Sequence, residues 1–421
     1  MKTIKVIVIG GGAAGMVAAG RAAECGARVV LLEKGPKLGR KLRIAGKGRG
    51  NITNTADLKE FIEAFSPNGK FLYGAFSRFF RDDLLNLLHK MGVDTIVERG
   101  GRVFPASERA SDVADTLEKW ITSLGVSIRL NTRVKSIEID NGRVVGVNIY
   151  GGRMDADAVI IATGGASYPK TGSTGDGYTM ARETGHSIIP PRPALSALVT
   201  QENWVKDLQG LSLKNVEAAL YAETHDGRKK IDSEFGEMLF THFGLSGPII
   251  LTLSRGVGAH LKQGGVSISI DLKPALTKEQ LHARLIRDFR QTRQLKNYLS
   301  DLLPRLLIDT FIALTQINGD KPVNSITAEE RARIVDLLKE LRVTIVRMAS
   351  LDEAIVTAGG VPVKEIDSKT MMSKIAPGLF LAGEVIDIDA KTGGFNLQAA
   401  FSTGYVAGEA AAEFVMEDKD E

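Results

Sequence analysis

The stretch Ile4-Lys5-Val6-Ile7-Val8-Ile9-Gly10-Gly11-Gly12-Ala13-Ala14-Gly15 decides the fold. Its β-branched, apolar first half reads as a buried parallel strand. The second half is a Gly-x-Gly-x-x-Gly turn that opens a helix of small residues. Gly10 permits the tight turn, and Gly12 lets the backbone approach a pyrophosphate. Gly15, next to Ala14, allows the helix to pack closely on the strand. The free N–H groups of the helix N-terminus face the phosphate charge. A second strand, Val29-Val30-Leu31-Leu32, ends in Glu33, whose carboxylate suits the hydroxyls of an adenosine ribose. Together these features predict a dinucleotide site, for NAD or FAD alike.

The chain has 421 residues, 43% of them hydrophobic and 25% charged, as expected of a globular protein of two or three domains. The most apolar stretch, Val6 to Gly20, stops at Arg21 and is too short and glycine-rich to span a bilayer. It is a strand–turn–helix unit rather than a signal peptide, so a cytoplasmic location and no membrane partner are expected. One cysteine, Cys25, excludes an internal disulfide framework and a dithiol–disulfide flavoenzyme. The six histidines are scattered without zinc spacing, so no metal site is expected. The net charge is +4. Lys34, Lys37, Arg40, Lys41, Arg43, Lys47 and Arg49 crowd the segment after Glu33, where they either neutralise a pyrophosphate or form a solvated basic loop.

Residues 1–190 read as an α/β unit, with Asn141-Gly142 joining two strands in a hairpin. Pro190-Pro191-Arg192-Pro193 reads as a linker. Strand patterns dominate 191–275 and return at 342–355. Residues 276–341 are helical, with capping-box spacing at Thr277/Gln280 and Thr327/Glu330. Arg284, Arg287, Arg290, Arg293 and Lys296 line this helical part, as a solvated face or an RNA-contacting one. From 356 to 421 the glycine-punctuated α/β character resumes and ends in acidic residues.

Two further segments complete a flavin site. Val159-Ile160-Ile161-Ala162 empties into Thr163-Gly164-Gly165, a turn that passes close to a ligand. Near the C-terminus, Gly383, Glu384 and Asp387 follow a strand and suit ribityl hydroxyls. Gly394, Phe395, Asn396 and Leu397 then open a helix whose N-terminus can stabilise negative charge on a reduced isoalloxazine. The expected fold is α/β: a discontinuous Rossmann-like FAD domain built from both chain ends, with a β-rich domain and a helical cap inserted.

Four motifs resemble the signature of the BaiN-type, or aminoacetone oxidase-type, family of bacterial flavoproteins. They are Gly39-Arg40-Lys41-Leu42-x-x-x-Gly46-x-Gly48-Arg49-x-Asn51-Ile52-Thr53-Asn54, Gly101–Pro105, Thr171–Tyr178 and Phe240–Pro248. The resemblance covers essentially the whole chain. It implies that Gly39, Arg40, Lys41, Gly48, Arg49 and Asn51 lie along the cofactor, with Lys34 nearby, and that the backbone at Val134 meets the adenine side. Many relatives carry Cys where this chain has Gly50, so a thiol beside the flavin is not expected here.

The resemblance also implies an FAD-dependent oxidoreductase that reduces an activated C=C bond, in an enone-like small molecule or a uracil-like RNA base. An amine or aminoketone oxidase and an RNA-associated flavoprotein are the alternative readings. No second glycine turn follows a strand, so NAD(P)H as donor would dock transiently. His242, in the family loop, and Tyr168, just after the Thr-Gly-Gly turn, are the candidate catalytic residues.

Overall fold

The opening strand Lys5–Ile9 lies at the centre of a parallel sheet ordered Leu379–Leu381, Ala158–Ile161, Lys5–Ile9, Arg28–Leu32, Ser127–Arg129 in a computed structural model. The model describes residues 5–417 apart from 226, 262 and 263, together with all side chains among these except that of residue 259. Ile4 and the last four residues, 418–421, lie outside the described residues. Val6, Ile7 and Val8 are fully buried, as a strand covered on both faces requires.

The chain divides into two units, Met1–Ala194 with Leu351–Glu421, and Leu195–Ser350, against expected boundaries near 190 and 355. In the first unit the helix after the glycine turn, Ala13–Glu24, packs on the last helix, Phe395–Glu417. A Cβ on Gly404 or Gly408 would come within 2.3 Å of the backbone oxygens of Ala14 or Ala18. Small residues on both helices therefore set the close approach that joins the two chain ends. Small antiparallel sheets flank this core. In one of them Asn141 (φ +48°) and Gly142 (φ +80°) form the hairpin turn.

The proline segment is not a linker. Ile189–Ala194 is a strand of the first unit, paired antiparallel with Val356–Gly360. The register shifts between Ile189 and Arg192, so Pro190 and Pro191 occupy the irregular stretch where no ladder N–H is required.

The second unit is a closed barrel of Leu198–Thr200, Gly244–Ser246, Gly227–Thr241, Ser212–Thr224, Val266–Asp271 and Leu341–Met348, in that order. The helices Lys278–Asp288, Arg305–Thr315 and Ala328–Lys339 share its core through Leu281, Leu285, Phe311, Ile334 and Leu338. Both capping boxes form. Thr277 accepts from Gln280 N (3.2 Å) and Thr327 from Glu330 N (3.2 Å).

His186 follows the helix Asp176–Glu183 and is buried. Its Nδ1 lies 3.0 Å from Glu365 Oε2 and its Nε2 2.9 Å from Ser373 Oγ. Burial holds the imidazole below its ordinary 6.5, and Glu365 opposes that shift only in part. The unfolded chain therefore binds the extra proton first on acidification. This contribution to stability is complete above about pH 6.5 and declines as pH falls through the folded value. Urea unfolding between pH 7.5 and 5 should show the midpoint falling on acidification. The fall should be shallower in His186→Gln, and parallel curves for the two proteins would refute this assignment.

Candidate cofactor site

The carboxyl ends of the parallel strands, together with the first turn of the last helix, assemble the predicted segments. Gly10 takes φ +102°, a backbone angle that glycine adopts without strain. A Cβ on Gly15 would sit 1.8 Å from Gly10 O, so the turn and the helix leave no space there. Gly12 behaves oppositely: a Cβ built on it meets no protein atom within 4 Å. Its backbone is extended (φ −83°) and caps the helix, so open space lies against the N–H groups of the first turn. Ala14 packs behind, 3.0 Å from the Cβ direction of Gly383.

Glu33 is buried. Its Oε2 accepts from Gly11 N (2.8 Å) and its Oε1 from Gly35 N (2.7 Å), which orients the carboxylate at the mouth of the turn while each oxygen keeps lone-pair capacity. Lys34 pairs with Asp176 Oδ2 (2.8 Å). Burial raises the Asp176 carboxyl, but Lys34, the Thr174 hydroxyl and Arg133 together outweigh it and hold the group below the usual range. Gly39 donates to Gly11 O (2.8 Å), and Arg40 donates to Lys170 O. Val134 begins the strand Val134–Asp140 and is buried.

Lys41 and Glu384 form the second focus. Lys41 Nζ lies 2.8 Å from Glu384 Oε2 and 2.7 Å from Ser167 Oγ. Glu384 Oε1 accepts from Thr357 N (2.7 Å) and Ser167 Oγ (3.1 Å). Thr357 Oγ1 in turn accepts from Ala166 N and Ser167 N, next to the Thr163-Gly164-Gly165 turn. Asp387 accepts from Gly359 N and Asn68 Nδ2, both at 3.0 Å, and burial raises its carboxyl above the ordinary value.

At the last helix, Gly394 approaches the backbone of Thr53 so closely that a Cβ would lie 2.3 Å from Thr53 O. Asn51 fits there with its amide nitrogen toward Thr53 O and its oxygen toward Gly394 N, both at 3.1 Å. Thr53 Oγ1 donates to Gln398 Oε1 (2.6 Å) and Gln398 Nε2 to Ser402 Oγ (3.0 Å), so buried polar groups join the N-terminal loop to the helix. Phe395 points into an aromatic cluster, with its ring 4.6 Å from that of Phe61. Asn396 clamps its own loop by accepting from Ala390 N (2.9 Å) and donating to Ala390 O (3.0 Å). Leu397 is half-buried beside them.

Arg49 pairs with Glu98 and Glu108 and stacks over Phe104, its guanidinium carbon 4.4 Å from the ring centre. Gly48 (φ +86°) has open space at its Cβ direction. At Gly50 (φ +82°) a Cβ would meet Ala110 Cα at 2.9 Å, so the chain here requires glycine rather than a thiol. Tyr168 adopts φ +52° and is half-buried in the first unit. His242 belongs to the second unit, where it is exposed and sits edge-on to Phe243. Sequence reasoning missed Ser167, Thr357, Asn68 and Asp176. Only Asp176 carried a signal, as the acid of the quoted Thr171–Tyr178 motif.

A family model described as the HI0933-like protein Rossmann domain matches residues 4–410. The chain belongs to the HI0933-like family. This HI0933-like chain is 31% identical over 414 residues to the 3-dehydro-bile acid delta(4,6)-reductase of Clostridium scindens, covering 97% of this chain and 99% of that one. It is likewise 31% identical over 413 residues to the ribosomal RNA dihydrouridine synthase of Escherichia coli, covering 97% and 98%. Among solved structures, the 3-ketosteroid delta1-dehydrogenase of Sterolibacterium denitrificans shares the fold with a TM-score of 0.53 at 14% identity, covering 97% and 99%.

The HI0933-like protein is an FAD-dependent oxidoreductase. The residues fit the cofactor: the open space at Gly12 lies on a helix N-terminus and the buried Glu33 carboxylate stands beside it. Among the described residues no helix is long and apolar enough to cross a membrane.

Proposed function

We propose that this protein reduces a ring C=C bond conjugated to a carbonyl in a small molecule, with NAD(P)H as the electron donor. The observation that carries the reading is the end-to-end match to a bile acid delta(4,6)-reductase. The dihydrouridine synthase relative has the same chemical logic, since forming dihydrouridine also saturates a ring C=C bond beside a carbonyl. FAD, when bound, supplies hydride equivalents to an electron-poor carbon. The chain's own part is to hold it. Gly10, Gly12, Gly15 and Glu33 would take the ADP half. Lys41, Ser167, Glu384 and Asp387 would face the ribityl side, with Asn51 fixing the Gly394 backbone at the last helix.

A small molecule is favoured over RNA by the pairing of the arginine-bearing helical region. Arg284 and Arg287 both face Asp288 (3.4 and 3.6 Å), Arg293 pairs with Asp301, and Lys296 with Asp320. Four of the five cations named there are thus engaged, sharing three carboxylates, which reduces the positive charge they offer to phosphates.

The test is anaerobic mixing. NADH or NADPH should bleach the flavin band near about 450 nm, and a 3-oxo-4-ene steroid should then restore it. Restoration only by uracil-containing rRNA or by oxygen would overturn the small-molecule reading, and no bleaching by either nicotinamide would overturn the donor. In the same assay Tyr168→Phe and His242→Asn assign the proton donor, whose loss should lower kcat by on the order of a hundredfold.

A further inference from the structure

Sheet order places the glycine turn in a bridged position. The strand Lys5–Ile9 lies between Ala158–Ile161 and Arg28–Leu32. The segment 168–177 starts near the carboxyl end of one neighbour and is fastened at the carboxyl end of the other. On the first side, Gly175 N donates to Gly165 O (3.1 Å), and Ser173 Oγ lies 3.1 Å from the Cβ direction of Gly164. On the second side, Asp176 receives Lys34 Nζ (2.8 Å) and Arg133 Nη2 (3.0 Å), while Arg40 holds Lys170 O. The Cβ direction of Gly172 points to within 4.0 Å of Glu33 Oε1. Tyr168, Gly172 and Gly175 all take left-handed backbone angles, which bend the segment along this path.

A chain that joins the carboxyl ends of two outer strands straddles that of the strand between them. In parallel α/β sheets that edge is where the ligand lies. We infer that residues 168–177 form a strap across the ADP end of the FAD site, and that Asp176, anchored by Lys34 and Arg133, is the positioning residue that keeps the strap down and FAD in. Lys34 thereby acts through Asp176. The side chains of Lys34 and Asp176 are 25% and 17% exposed, so their pair is better shielded than a surface ion pair. Loss of Asp176 also leaves two cations facing each other. Truncating one partner of such a shielded pair acts mainly on the rate of dissociation.

The inference rests on FAD being the bound cofactor, and the experiment separates the two. FAD release from the holoprotein is followed by the rise of flavin fluorescence on dilution, for the parent, Asp176→Asn, and Arg133→Met at the more exposed anchor. Asp176→Asn should release FAD about tenfold faster and Arg133→Met by a smaller factor. The parent rate should rise with salt and the Asp176→Asn rate should respond less. Competition with ADP and with FMN supplies the readout that general loosening would not give: Asp176→Asn should weaken ADP about tenfold and leave FMN unchanged. Release within twofold of the parent, or equal weakening of ADP and FMN, overturns the strap. Failure of the parent itself to retain FAD overturns the cofactor reading instead.

Discussion

Gly12→Ala should weaken FAD binding strongly while costing the fold less than about 1 kcal/mol. The methyl meets no protein atom within 4 Å, and the φ of −83° suits alanine as well as glycine. The stability cost is therefore only that of a poorer N-cap residue. The same methyl occupies the space against the helix N-terminus where a pyrophosphate would receive N–H groups. Affinity for FAD should fall by on the order of a hundredfold, or about 2.7 kcal/mol. Gly15→Ala is the opposite case. Its Cβ would lie 1.8 Å from Gly10 O and 3.3 Å from Ala162 Cβ, so the turn must move, at a cost of about 3 kcal/mol. Thermal unfolding of the flavin-free proteins, paired with flavin titration, separates the two. A Gly12→Ala protein that binds FAD like the parent would remove the phosphate from this turn.

The features legible in the sequence are those that a few neighbouring residues decide. The Gly10–Gly15 turn, the Asn141-Gly142 hairpin and the Thr277 and Thr327 capping boxes each depend on side chains or φ values within about three positions. The barrel is different. Its order is set by pairings such as Leu198 with Met348 and Glu217 with Asp271, which no local pattern announces. Within the strand Gly227–Thr241 the first part carries Arg228, Lys229, Lys230 and Asp232 along a largely solvated surface, so no apolar pattern marks where it begins. The site divides along the same line. Glu33 and Glu384 are marked by their places at strand ends. Thr357 and Asn68 matter only because folding brings them to Glu384 and Asp387. Arg49 lies in the glycine-rich loop, and its partners Glu98 and Glu108 come from segments that no local pattern links to it.

Glu384 is the residue whose loss should combine the largest structural and functional effects. One carboxylate ties together Lys41, Ser167 and Thr357, which come from three distant parts of the chain. Glutamine keeps the shape but has only one acceptor oxygen, so its amide group must turn donors toward either the Lys41 ammonium or the Thr357 N–H. The space allows no rearrangement by a simple swing, because a Cβ on Gly165 would already stand 2.8 Å from Glu384 Oε1. The side chains of Lys41 and Glu384 are 26% and 19% exposed, so water offsets part of the lost attraction. The expected destabilisation in Glu384→Gln is then about 2 kcal/mol, below the range for a fully buried pair. Most of that cost belongs to the stranded ammonium rather than to the missing bond, which makes the effect reversible. Lys41→Met added to Glu384→Gln should recover about half of the lost stability, a coupling that independent sites do not show. Because Glu384 and Lys41 also face the ribityl side in the proposed site, FAD affinity should not recover with stability in the double variant. Denaturant midpoints for the four proteins of the cycle, set beside their FAD titrations, decide both points. Additive losses within about 0.5 kcal/mol would mean that Lys41 and Glu384 stabilise the fold separately. Recovery of FAD affinity in step with stability would mean that the pair serves the scaffold and leaves the cofactor untouched.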